Sequence, residues 1–395
     1  MPPIAPGTAP VPDPDPDPDR HGRRAVWISL LVTAVLAGCF YWPKAAEERS
    51  AFIRWRHQVR DFWQGENIWD TYMFPNPPIL PISLYPLMAL DPVAGALCWF
   101  ALKAALTGVS ILLCFRMARD RLGPLPSWAQ FLAIVLSLRP ILSDLHHGNV
   151  NLLILFLIVA TLAAWRKGYD VLAGLMLALA ITYKVTPALF VPYFLYKRSY
   201  RVVGATVLGI GVFLLIVPSL VLGPDFNGRC LAMWWHRILS PYLAGGVVGD
   251  LEINQSMVGV LTRLFTEAPP VAGSSRYALE VDVNLVAWDR ARVVALVKGL
   301  SLALVALLAV FCRTRTRRRD DARLLGEFSL VVLTMLFVSE RSWKHHYVTL
   351  LLPYTYLVCR LAAPGVSPRV RRVLATALAA SAALMATTSS EISRL

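Results

Sequence analysis

The sequence predicts an all-α polytopic membrane protein: one helical bundle of about eleven transmembrane helices with two long outer loops. Three observations carry this. The 395 residues are 56% hydrophobic and only 16% charged, where a soluble chain carries roughly a quarter. Apolar stretches long enough to cross a bilayer recur along the whole chain,. Basic residues come in short clusters between those stretches, as cytoplasmic loops of membrane proteins require.

The N-terminal segment 1–24 reads as a disordered cytoplasmic tail. The Pro-Asp alternation from Pro12 to Asp19 buries nothing and favours an extended, polyproline-like chain,. His21-Gly22-Arg23-Arg24 then leads into the first apolar run, Ala25 to Trp42. Leu36-Ala37-Gly38-Cys39 resembles a lipoprotein cleavage box,. The alternative is a helix running on into an aromatic belt at Phe40, Tyr41 and Trp42,. The long tail and the many later spans favour the belt, and residues 25–395 read as one domain.

Further spans are expected near 93–115, 126–143, 149–165, 170–185, 187–197, 202–222, 293–312, 324–340, 346–362 and 372–388. Those around 170–197 are short and broken at Thr186-Pro187,. With the N-terminus inside, one alternation brings every basic cluster to the cytoplasm: His21–Arg24, Arg116–Arg121, Arg166-Lys167, Lys197–Arg201, Arg313–Arg319 and Arg369–Arg372,. The formal charge of +14 is thereby explained, and with no stacking or groove-reading motif nucleic acid is excluded as a partner,. The six cysteines form no CxxC and read as small apolar side chains,.

The opposite, non-cytoplasmic side receives 43–92, 144–148, 184–187, 223–292, 341–345 and the C-terminal tail. Of seven histidines, only His21 falls on the cytoplasmic side. His146-His147 and His345-His346 sit at two helix ends on the outer face and point to a shared polar cavity,. HExxH is absent and no metal site is expected,. Lys184 and Lys344 are cations against the positive-inside bias; each snorkels or meets an anion such as a lipid phosphate,. Arg54 and Arg56 flank Trp55: guanidinium forks suit phosphate and an indole suits a sugar face,. Asn149, Asn151 and Asn254-Gln255-Ser256 stand at helix starts, where they cap and where phosphate also binds,. The first-loop acids are Glu47, Glu48, Asp61, Glu66 and Asp70, of which one or two could serve as base toward an acceptor hydroxyl,.

In order and spacing these pieces resemble glycosyltransferase family 87, mannosyltransferase-like proteins of the GT-C membrane fold. The matching elements are Gly65 to Asp70, Pro75-Asn76-Pro77-Pro78, Tyr85-Pro86-Leu87, Gly148 to Leu153, Lys184-Val185-Thr186-Pro187, Asn254-Gln255-Ser256 with Arg263, and Ser342-Trp343-Lys344-His345-His346. The resemblance implies a GT-C-like bundle in the bacterial plasma membrane. It implies a polyprenyl-phosphate-linked hexose donor, a glycan or glycolipid acceptor, contact with membrane lipids and no separate cofactor. Arg54, Arg56, His147, Asn149, Lys184, Asn254, Lys344, His345 and His346 then read as donor contacts. Where the family usually carries an Asp early in the first loop, this chain reads Ser50-Ala51-Phe52-Ile53. Asp61 or Glu48 is the expected replacement base. Rival readings are a transporter or flippase of lipid-linked sugars, which would show inverted repeats, and a GT-C-fold protein without catalysis.

Overall fold

The computed structural model describes residues 19–118, 125–241, 254–267, 284–316 and 318–387. Among them there is no strand; the molecule is built of helices. Helix α1 spans Arg20–Ala46, so it takes in the basic cluster His21–Arg24 instead of beginning at Ala25. Asp19 Oδ2 accepts from Ser127 N at 2.6 Å and ties that start to the helix Ser127–His147. The remainder of the Pro-Asp tail, Arg119 to Arg121 of one basic cluster, Arg317 of another and the last residues of the C-terminal tail lie outside the described residues.

The first outer loop is not irregular. It holds α2 (Ala51–Trp63), α3 (Ile68–Thr71) and α4 (Ile79–Met88). Ser50 opens α2, its Oγ accepting from Ile53 N at 3.3 Å,. Phe52, Val59 and Phe62 of α2 are fully buried while Arg54, His57 and Arg60 face outward. Burial of this apolar face on the bundle makes a helix of what the Trp-, Tyr- and Pro-rich composition left as loop.

Helices α5 (Pro92–Ala118), α6 (Ser127–His147), α7 (Asn151–Arg166) and α8 (Asp170–Tyr183) form the centre of the bundle. The break expected at Thr186-Pro187 is a 3₁₀ turn, Thr186–Leu189, leading into α9 (Phe190–Tyr196). A long helix follows: α10 (Tyr200–Gly211), a π-turn at Val212–Ile216, and α11 (Val217–Leu222). The π-turn precedes Pro218, which cannot donate to the ladder,.

The second outer loop is also partly helical, with α12 (Pro224–Trp234) and α13 (Met257–Phe265). Residues 242–253 and 268–283 of that loop lie outside the described residues. The chain closes with α14 (Arg290–Phe311), α15 (Arg323–Val338), a 3₁₀ segment Lys344–Leu350, α16 (Leu351–Ala362) and α17 (Pro368–Thr387).

Each expected span falls on a helix, but a count of eleven crossings does not follow. Among the described residues six helices are long and apolar enough to cross: α1, α5, α6, the α10–α11 helix, α14 and α17. Helices α7 and α8 are apolar but shorter, and α7 is buried along most of its length. This is an all-α polytopic membrane architecture.

Small residues let α8 and α10 touch. A Cβ on Gly174 would lie 2.5 Å from Ala205 Cβ, and one on Gly209 would lie 2.7 Å from Ala178 Cβ. Thr206 Oγ1 donates to the Gly174 carbonyl at 3.2 Å across this seam. Lipid gives helices no hydrophobic push toward each other, so close backbone packing does that work.

The two ends of the bundle differ in chemistry. At one end Arg166 donates to the carbonyls of Met117, Arg319 and Asp320, and Arg319 pairs with Asp170. There too Lys197 Nζ lies 2.8 Å from Glu327 Oε2 and donates to the Cys312 carbonyl. The described parts of three basic clusters, those around Arg116, Arg166 and Lys197, thus meet the fourth around Arg319 at one end. Since α7 leaves that end's opposite at Asn151 and reaches it at Arg166, the histidine pairs lie at the other end.

Candidate functional site

Helix α6 ends at His147, and Gly148 takes a left-handed conformation (φ 77°) that turns the chain sharply into α7,. A Cβ at Gly148 would stand 3.2 Å from Phe52 N, so α2 packs directly over this turn. Trp99 Nε1 donates to the Gly148 carbonyl at 3.0 Å from α5. The turn therefore fixes His147 and Asn149 against both the first loop and the bundle.

Beneath the turn lies a buried polar chain. Lys103, in the middle of α5, donates to Asp144 Oδ1 at 3.1 Å and to the Asp144 carbonyl at 2.7 Å. Both side chains are wholly buried. Asn151 Nδ2 donates to Asp144 Oδ2 at 2.9 Å, and Lys184 Nζ donates to Asn151 Oδ1 at 2.7 Å. Asp144 thus neutralises Lys103 and aligns the amide that holds Lys184.

Above it lie the late aromatic and histidine residues. His147 and His345 stack with ring centroids 4.9 Å apart. Asn149 Nδ2 stands 3.0 Å from His345 Nε2, while Asn149 Oδ1 accepts from Val150 N at 2.7 Å. An amide nitrogen only donates, so His345 Nε2 accepts and its proton sits on Nδ1. Trp343 stacks on His346 with centroids 6.0 Å apart and planes 8° from parallel. Lys344 starts this 3₁₀ segment and is half-buried.

Asn151, Lys184, Ser342, His346 and Thr349 line one small cavity of about 20 Å³. That is room for one water-sized group, so a larger ligand reaches these residues from the cavity mouth. Thr349 Oγ1 and Trp343 Nε1 are buried without a hydrogen-bond partner among the described residues.

The structure brings together Lys184, Asn149, His147, His345 and His346 of the expected residues. Arg54 stands on the outward side of α2, the helix whose Phe52 packs against the Gly148 turn. Arg56 has another duty, donating to the Met88 carbonyl at 2.9 Å and the Leu90 carbonyl at 2.8 Å, which clamps α2 to the end of α4. Asn254 is a buried staple: Oδ1 accepts from Ser342 N at 3.0 Å and Nδ2 donates to the Glu340 carbonyl at 2.9 Å. It fixes the segment before the 3₁₀ turn, while Ser256 caps α13 by accepting from Gly259 N at 3.1 Å.

The first-loop acids stand on the exposed side. Asp61 Oδ2 accepts from the Tyr72 hydroxyl at 2.6 Å, a bond that raises the pKa of that phenol. Asp70 pairs with Arg237 at 2.6 Å and Glu47 with Arg49 at 2.5 Å. Glu48 is exposed in the turn between α1 and α2, with a positive φ of 55°. Neither Glu48 nor Asp61 lines the cavity.

Lys103, Asp144 and Glu340 were not singled out from sequence. A lysine in the middle of an apolar run was the available signal for the first, since such a charge needs an internal partner. Glu340 follows α15, its Oε2 buried and unpartnered, and burial raises its carboxyl to about 7. Among the described residues no group of three or more His, Cys, Asp or Glu side chains is placed to hold a metal ion.

The sequence profile of glycosyltransferase family 87 matches residues 74–339. The match takes in Lys103, Asp144, Asn151 and Lys184, and it ends before Ser342–His346. Over 360 residues the chain is 25% identical to a polyprenol-phosphate-mannose-dependent alpha-(1-2)-phosphatidylinositol mannoside mannosyltransferase of Mycobacterium tuberculosis, covering 84% of this chain and 76% of that protein. A mannosyltransferase of the same description from Mycolicibacterium smegmatis is 28% identical over 222 residues, 55% of this chain and 43% of that protein. A pentamannoside mannosyltransferase of Mycobacterium tuberculosis is 26% identical over 293 residues, 72% of this chain and 58% of that protein. No solved structure matches the chain. The chain belongs to glycosyltransferase family 87, and it is a membrane glycosyltransferase.

Proposed function

We propose that the protein moves a hexose, mannose-like, from a polyprenyl-phosphate donor to a glycan or glycolipid acceptor on the non-cytoplasmic face. The observation that carries this is the convergence of Lys184, His147, His345, His346 and Trp343 on one end of the bundle, away from the arginine-rich end. The donors described for the relatives support the lipid-phosphate part.

In this reading Lys184 meets the donor phosphate at the cavity mouth, held forward by Asn151 and Asp144. An ammonium preset by a buried carboxylate needs no reorganisation when the donor's phosphodiester arrives. Arg54 adds a second cation at the rim, and Lys344 a third. The indole of Trp343 offers an apolar face to the sugar. His345, with Nε2 accepting, and His147 orient the polar groups between them. Arg56 and Asn254 position the elements that carry these residues.

The acceptor hydroxyl needs a carboxylate as base. Glu48 and Asp61 of the first loop are candidates, and Glu340 is a further one. Its carboxyl, raised to about 7, has the basicity that proton removal near neutral pH requires,.

The test is transfer in proteoliposomes holding the full chain, with a polyprenyl-phosphate mannose donor and a phosphatidylinositol mannoside acceptor. Wild type should transfer mannose, Lys184→Met should lose transfer, and one of Glu48→Gln, Asp61→Asn or Glu340→Gln should abolish it. Transfer that survives all three acid changes refutes the base assignment. Donor binding without transfer in wild type supports the non-catalytic reading instead.

A further inference from the structure

A second cavity lies at the arginine-rich end. It has a volume of about 300 Å³ and sits between the end of α14, the start of α15 and the middle of α16. Arg315, Arg318 and Arg323 stand at its rim, and Leu330, Leu333 and Leu357 line its depth. Gly326 makes the wall possible: a Cβ there would stand 2.7 Å from the Tyr356 ring, which leans against it. Phe311, also in the lining, is 59% exposed, so the apolar part opens sideways onto the bundle surface that faces lipid.

The charges are unequally shared. Arg323 is neutralised by Asp321 at 2.6 Å, and Arg318 bonds Asp320 at 2.5 Å. Glu327, the other acid in the lining, is engaged by Lys197 and by the Tyr193 hydroxyl at 2.8 Å. Arg315 makes no ion pair among the described residues. Thr316 Oγ1, in the same lining, is buried with no hydrogen-bond partner among the described residues.

A cationic rim, an unpartnered hydroxyl and an apolar shaft open to the bilayer describe a phosphodiester with acyl chains. We propose that this cavity binds an anionic phospholipid of the surrounding membrane. Its phosphate would rest on Arg315 and Arg318 with the Thr316 hydroxyl, and one acyl chain would run past Leu330 and Leu333. Guanidinium forks match phosphate oxygens, and basic recesses between membrane helices favour anionic headgroups. The site lies at the far end of α15 from Lys184 and does not depend on the transfer reaction.

The test is lipid retention by the delipidated full chain in detergent micelles, read by native mass spectrometry. The probes are dioleoyl phosphatidylglycerol, dioleoyl phosphatidylcholine and inorganic phosphate. One phosphatidylglycerol should be retained, about tenfold more tightly than phosphatidylcholine. Arg315→Gln with Arg318→Gln should weaken it about tenfold, while Arg371→Gln on α17 should leave it unchanged. Leu333→Trp, which fills the shaft and keeps the charges, should also weaken it. Equal retention of the two lipids, or wild-type retention by the double arginine variant, overturns the proposal. So does displacement of the lipid by millimolar inorganic phosphate, which would make the rim a plain anion site.

Discussion

Lys184 Nζ reaches Asn151 Oδ1 at 2.7 Å, and the same amide is bonded to the buried carboxylate of Asp144. Three helices therefore set the position of one ammonium: α8 carries it, α7 aims it, and α6 supplies the charge behind it. Asn151→Ala should leave Lys184 in place but unaimed. Apparent donor affinity should fall about three- to tenfold with a smaller change in turnover, against near-complete loss for Lys184→Met. Donor titration in proteoliposomes separates the two, and wild-type affinity in Asn151→Ala would remove its positioning role.

Lys103 and Asp144 are worth more as a pair than apart. Lys103→Met strands a carboxylate and Asp144→Leu strands an ammonium, each at a wholly buried position. Each single change should cost about 3–5 kcal/mol, and the double change should recover part of that loss. Thermal unfolding in detergent checks it; additive losses would show that the two groups are not coupled.

The seam between α8 and α10 has no space for a side chain. Gly174→Val would drive carbon into the Val202 carbonyl, 2.6 Å from the first added atom. Stability should drop by about 1–3 kcal/mol while Gly204→Ala, where a Cβ meets nothing within 4 Å, should be neutral,. Both are read from the unfolding midpoint.

Glu340 gives a pH signature. Its carboxyl titrates near 7 in the folded protein against an ordinary 4.5. Between those values the folded state holds a proton that the unfolded state releases, so stability falls as pH rises through 7. Below about 4.5 the contribution is complete,. Glu340→Gln should flatten this slope, seen by comparing unfolding midpoints at several pH values. A slope unchanged by the substitution would assign it elsewhere.

Much of this was legible in the sequence because membrane chemistry is explicit there. Apolar runs placed a helix at all the expected positions, and the basic clusters around Arg166, Lys197 and Arg319 do meet at one end. The His-His pairs and Lys184 foretold a shared polar end, because ionisable groups at helix ends gather inward. What the sequence hid was pairing across distance. Asp144 and Lys103 are 41 positions apart, and Asn254 meets Ser342 across 88. Helix α2 was also hidden, since its apolar face becomes visible only once the bundle supplies a surface to cover.

The brevity of α8 has a topographic result. Its 14 residues, Asp170–Tyr183, make a rod of about 21 Å, where a bilayer's hydrocarbon is about 30 Å thick,. Anchored by Asp170 at the Arg319 end, it stops well short of the far boundary. Lys184 follows Tyr183 directly, so this short rod leaves its ammonium within the bundle, against Asn151, rather than beyond it. On the proposed function, a lipid-borne donor would reach it by lateral diffusion, without leaving the membrane.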